Sequence, residues 1–192
     1  MERPNPNGTK VIITGTVTLF IFVVLLLEHF SGGVPSHHLL HQKDLPAISN
    51  WWSGAFLPVI TWILLGRIEM RLDRQNKKQQ QTNDWYKKIF GLFMIGLVFA
   101  VLIAVSFTYG YHLFLDNVIY FLLILSLIIP IYYPEFILGF ILGMTFTFGA
   151  ILPSIFILIF AVIGAIIYKF LSPMLIKLIR LITKHSAKSP NR

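Results

Sequence analysis

Cysteine is missing from this chain altogether. Its absence excludes disulfides, thiolate zinc sites, iron–sulfur clusters and cysteine nucleophiles, and it leaves the redox compartment unreadable. Charge is scarce as well. Asp, Glu, Lys and Arg make up 12% of the residues, about half the roughly 25% of ordinary soluble domains. No polar stretch is long enough to form a soluble domain. No apolar run carries a Lys, Arg, Asp, Glu or His near its middle, where a buried ionisable group would mark an ion pathway.

Hydrocarbon takes the place of charge. The chain is 56% hydrophobic, with a mean hydropathy of +0.74. Several runs approach the roughly 20 apolar residues that cross a bilayer. The fold class is therefore an all-α integral membrane protein, a single transmembrane domain over residues 1–192. We place six spans, at about 11–27, 51–66, 89–109, 112–129, 136–150 and 154–171; if the last two form one kinked helix, the count is five. The first run, "VIITGTVTLFIFVVLLL", is longer than the roughly 7–15-residue core of a signal peptide, and no small-x-small site follows closely. It is read as a retained span.

Local signals refine this layout. Ser49 or Asn50 can cap the second run, and Trp51-Trp52 suits a membrane–water interface. That helix continues as "RIEMRLDRQNKKQQQ", where Glu69, Asp73 and Arg67, Arg71, Arg74 interleave as solvated ion pairs. Pro130 and Pro134 punctuate the connection "PIYYPE". "FILGFILG", residues 136–143, sets Gly139 and Gly143 four apart, a spacing that lets helices approach closely. The tail at 172–184 reads as a basic amphipathic helix on the anionic cytoplasmic leaflet, bound through Lys177, Arg180 and Lys184.

Six spans leave fifteen of the sixteen lysines and arginines on one side, with Lys43 alone on the other. The positive-inside rule then places both termini and the 67–88 loop in the cytoplasm, of a plasma or inner membrane. The formal net charge of +8 follows membrane orientation, so no nucleic-acid partner is expected. The lipid bilayer is the expected partner, and a homo-oligomer or a larger membrane complex is compatible with the composition.

Opposite the basic side, five of the six histidines collect: His29, His37, His38, His41 and His112, with Glu28, Asp44 and Asp116. The segment 28–50 reads as a re-entrant or interfacial element. If Ser36 caps a short helix there, His37 and His41 share a face, and His38 and His41 stand three apart. Two imidazoles at helical spacing can hold one metal ion. His112 and Asp116 are likewise four apart, so Asp116 could ligate or could orient His112. The expected set is therefore His37, His41 and His112 with Asp116 or Asp44 as catalytic ligands. His38, His29 and Glu28 are further metal candidates, and the ion is Zn2+ or another transition metal. A three-ligand site with an open position activates water, which makes a metal-dependent membrane hydrolase on a lipid or membrane-embedded substrate the first expectation.

"PSHH" at 35–38 and "HLFLD" at 112–116 resemble fragments of the membrane phosphatidate-phosphatase pattern. That family clamps phosphate with a lysine and arginines, and this face has no arginine. "HHLLH" resembles the histidine boxes of membrane desaturases, which need more histidines than the six here. No family is assigned. The alternatives are a small transporter or channel, a pH-responsive membrane protein, and a non-catalytic structural or assembly subunit. For a pore, the polar candidates are the hydroxyls of Thr14, Thr16, Thr18, Thr61, Ser106, Ser126, Thr145 and Thr147, with Thr145 and Thr147 the best placed, though hydroxyls in apolar helices usually bond their own backbone.

Overall fold

A computed structural model of the chain describes residues 6–38, 47–76 and 82–177. Helices dominate: α1 (Pro6–Phe30), α2 (Trp51–Asn76), α3 (Thr82–Tyr109), α4 (His112–Leu115), α5 (Val118–Ile128), α6 (Pro134–Phe148) and α7 (Ile151–Ile166). A π-helical turn, Ile167–Leu171, carries α7 onward to Lys177. Between α1 and α2 lie two short antiparallel strands, β1 (Ser36–His38) and β2 (Ala47–Ser49), with His37 opposite Ile48.

Among the described residues, three helices are long and apolar enough to cross a membrane: Gly8–Phe30, Trp85–Tyr109 and Ile151–Lys177. The helices α5 and α6 are apolar but shorter. Large apolar side chains such as Ile12, Leu19, Val98 and Val162 face outward. In water such a surface would drive association; against lipid tails it is matched, so these helices suit contact with a bilayer.

Helix ends follow local chemistry. At the end of α3, Gly110 has a φ of +70°. The Tyr111 N–H donates to the Ser106 carbonyl at 2.8 Å, and the Gly110 N–H to that of Phe107 at 3.3 Å. This pair of bonds is the Schellman arrangement, and it needs a residue that accepts positive φ. Pro134 opens α6 behind an extended Tyr133, as its fixed φ and missing N–H favour.

Side-chain contacts set the helix directions. Lys10 of α1 lies 3.8 Å from Glu69 of α2, while Asn50, just before α2, reaches Glu28 at the far end of α1. The two helices are therefore antiparallel. Gly139 of α6 meets the Phe93 carbonyl of α3, and Gly143 meets Leu97 and Ala100, so α3 and α6 run parallel. A methyl on Gly143 would come within 2.7 Å of the Ala100 Cβ, and one on Gly96 would collide with the Phe136 carbonyl. The "FILG" repeat is thus the close-packing surface its spacing predicted, with Gly96 as its counterpart. Phe136, Phe140, Leu57, Leu122 and Ile157 form the centre of the core around this contact.

Three expectations change. Residues 36–38 form a strand instead of the first turn of a helix; Ser36 and His38 pair in register with Ser49 and Ala47. The run at 112–129 is two helices, broken at 116–117. Residues 172–177 extend the seventh helix with no break, so the basic tail does not start as a separate helix. Arg180 and Lys184 lie outside the described residues.

Candidate functional site

Residues 36–38 form a strand, so Ser36 does not cap a helix that starts at His37. His41 and Asp44 lie outside the described residues. His29, at the end of α1, holds its ring edge-on to Trp51, 6.0 Å between centroids. Glu28 accepts a hydrogen bond from the Asn50 amide at 3.4 Å. His112 and Asp116 do occupy one turn, where the Asp116 N–H donates to the His112 carbonyl at 2.9 Å, and both are exposed. Among the described residues, no group of three His, Asp or Glu side chains comes together as a metal site.

The Glu28 end is nonetheless built with care. Asn50 turns its side chain away from a capping role to reach Glu28, and the Ser49 hydroxyl takes the Trp51 N–H at 3.4 Å instead. The Ala150 N–H donates to Ser53 Oγ at 2.8 Å. Gly149, at a φ of +69°, sits so close to Asn50 that a Cβ would overlap its Oδ1. These bonds tie α2 to the α6–α7 junction.

The opposite end holds the most concentrated chemistry of the molecule. Arg71 of α2 pairs with Glu135, the second residue of α6. Glu135 is 1% exposed and the Arg71 side chain 23%. The guanidinium also lies 3.5 Å from the centroid of the Tyr133 ring. Arginine suits this place, being weakly hydrated and able to stack and pair at once. The second oxygen of Glu135 is buried with no hydrogen-bond partner among the described residues.

Aromatic rings continue the cluster. Tyr133 meets Tyr132 at 4.8 Å, and Tyr132 meets Tyr168 at 6.0 Å. Lys169 stands 5.6 Å from the Tyr132 ring, and Lys88 stands 4.9 Å from Trp85. Burial, then Tyr133 and Tyr168, push the Tyr132 hydroxyl up to about 12, while Arg71 acts in the opposite direction. Six of these residues, Arg71, Trp85, Lys88, Tyr133, Glu135 and Tyr168, line a cavity of about 400 Å3. Its wall carries two cations against one acid.

No known protein family, characterised protein or solved structure matches the chain.

Sequence reasoning passed over this site. Arg71 is one of several cations on a charged helix extension, and Glu135 sits in a short proline-bounded connection. One signal was present: Glu135 is the sole acid between 117 and 192, set among Tyr, Pro and Phe. A lone carboxylate in such company needs a cation from elsewhere in the chain. Of the pore candidates, four bond their own backbone, while the Thr14 and Thr61 hydroxyls are buried with no partner among the described residues. Thr16, Thr18 and Thr145 donate to carbonyls four residues back, and Ser126 to one three back.

Proposed function

We propose that the protein is a six-span membrane protein with both termini in the cytoplasm, and that it binds an anionic, phosphate-bearing ligand at its cytoplasmic end. The observation that carries the reading is the cavity beside Arg71 and Lys88. Its cations outnumber its acid, and Arg71 spends only part of its five-donor fork on Glu135. Lysine serves phosphate as a point charge and arginine as a planar donor set. Trp85, Tyr133 and Tyr168 surround these cations as an interfacial aromatic belt does. The role is binding, with no nucleophile or acid–base pair invoked.

Orientation rests on two supports. With six spans, fifteen of the sixteen lysines and arginines would share the Glu135 side, which the positive-inside rule assigns to the cytoplasm. The alternating helix directions bring Arg71, Lys88, Glu135 and Lys169 to one end, as that topology requires. The test of the site is thermal unfolding of the solubilised protein in phosphate against chloride at equal ionic strength. Phosphate raises the midpoint of wild type, and Lys88→Gln reduces the shift. Equal midpoints for wild type in the two salts refute the reading.

Zinc or another transition metal at the opposite end is the second reading, with a hydrolase as its strongest form. It keeps one observation: His112 and Asp116 share an exposed turn. Stoichiometric metal in purified wild type, lost in His112→Ala, would support it. Protein that binds no zinc on addition removes it.

A further inference from the structure

The cavity does not end at its polar wall. Ile95 belongs both to it and to a second, apolar groove of about 320 Å3, whose other walls are Met94, Val98, Phe99 and Leu102 of α3 and Leu125 of α5. Gly91, Ile95, Val98 and Leu102 follow one another at steps of four, three and four, so they form one stripe along α3. The opposite stripe is occupied, because Phe93, Leu97 and Ala100 meet the glycines of α6. Ile95, Val98 and Leu102 are all exposed, which leaves the groove open to whatever surrounds the helix.

Polarity changes once along this stripe. Lys88 and the aromatic rings stand at one end, and from Leu92 onward the lining is hydrocarbon. At about 1.5 Å per residue, Lys88 to Leu102 covers about 21 Å. That reaches from a headgroup layer past the middle of a hydrocarbon core about 30 Å thick. A small anion would use only the first part of it. A phospholipid uses all of it: the cations meet the phosphate, and the apolar length equals the depth of one leaflet.

We infer that the ligand is an anionic phospholipid of the cytoplasmic leaflet, with its phosphate at Lys88 and Arg71 and one acyl chain in the groove between α3 and α5 as far as Leu102. The inference rests on the anion-binding reading of the same cavity and names the ligand for it. The phosphate is held by charge and by donors of the Arg71 fork. The chain is held by burial of each methylene against Ile95, Val98, Phe99 and Leu125.

The test is native mass spectrometry of the full chain in detergent. Three probes are offered: phosphatidylglycerol, phosphatidylcholine with the same chains, and glycerophosphoglycerol, the headgroup without chains. Wild type should hold one phosphatidylglycerol at least about tenfold more tightly than phosphatidylcholine, whose choline cation is repelled by Lys88 and Arg71, and than the headgroup, which has no chain to bury in the groove. The double variant Val98→Trp with Leu102→Trp fills the groove at exposed positions. It should lose phosphatidylglycerol at least tenfold and keep the headgroup binding of wild type. Lys88→Gln should bring phosphatidylglycerol down to the level of phosphatidylcholine. Headgroup binding as tight as the whole lipid, or lipid binding untouched by the filled groove, would overturn the lipid assignment and leave the anion site standing. Protein that binds none of the three probes overturns the anion site as well.

Discussion

Arg71 on α2 and Glu135 on α6 stand 64 residues apart in the chain and share a buried ion pair. The pair fixes where the charged extension of α2 docks on the first turn of α6, and it faces the cavity that Lys88 and the tyrosines complete. Removing either partner leaves a charge in a poorly solvated place.

Glu135→Leu and Arg71→Met are each expected to destabilise the fold by about 3–5 kcal/mol, the usual consequence of orphaning one member of a buried pair. Because one oxygen of Glu135 has no donor among the described residues, the pair is incompletely satisfied there. The double change Arg71→Met with Glu135→Leu should therefore recover most of the loss. Thermal melts of the four proteins, read as a double-mutant cycle, decide it. Additive losses would mean that the pair is not coupled.

Glycine substitutions should separate by what lies opposite. Gly143→Ala places a methyl 2.7 Å from the Ala100 Cβ and should cost about 1–3 kcal/mol by overpacking the α3–α6 contact. Gly15→Ala, in the interior of α1 with open space around it, should stabilise by about 0.5–1 kcal/mol. Unfolding midpoints of both variants against wild type test the contrast, and similar shifts would contradict the α3–α6 packing.

Tyr132 supplies a pH signature. Its hydroxyl, held up to about 12 chiefly by burial, ionises above the ordinary tyrosine value of about 10. The folded state therefore binds this proton more tightly than the unfolded state does. The stability that results is fully present below pH of about 10 and is lost as pH rises through the folded value near 12. Tyrosinate absorbance should show a late step that Tyr132→Phe removes; an unchanged titration curve in that variant would refute the assignment.

Absence of cysteine makes the topology directly testable. Leu113→Cys, at a position 85% exposed, should react with an impermeant maleimide from outside intact cells. Lys87→Cys should react only after the membrane is opened. The reverse pattern would invert the proposed orientation.

How much of this was legible beforehand differs from one part of the molecule to another. Helix ends at Tyr109-Gly110 and at Pro134 were readable, because a positive-φ cap and an X-Pro step are decided by adjacent residues. The glycine spacing of "FILGFILG" announced a close contact, though not that Phe93, Leu97 and Ala100 would receive it. The strand at Ser36–His38 was not legible. Its pairing with Ala47–Ser49 is a non-local bond pattern, and the Ser-His-His stretch alone fits a capped helix equally well. Arg71 fits a solvated charge ladder by its spacing alone, and its partner Glu135 lies on another helix.

The sequence by itself determined that this is an apolar helical protein with helices suited to a bilayer. It also determined several helix ends, at Trp51, Tyr109 and Pro134, and which segments carry the positive charge. All of these depend on hydrophobic length, local capping and composition, which act within a few turns of chain. Only the tertiary structure decided that Glu135 takes Arg71, and that one stripe of α3 seals against α6. It also decided that the other stripe, from Lys88 to Leu102, is left as a groove that is polar at one end and apolar along the rest. Those outcomes depend on which helix faces which, and close packing of glycine against backbone fixes that choice at a distance no local pattern encodes.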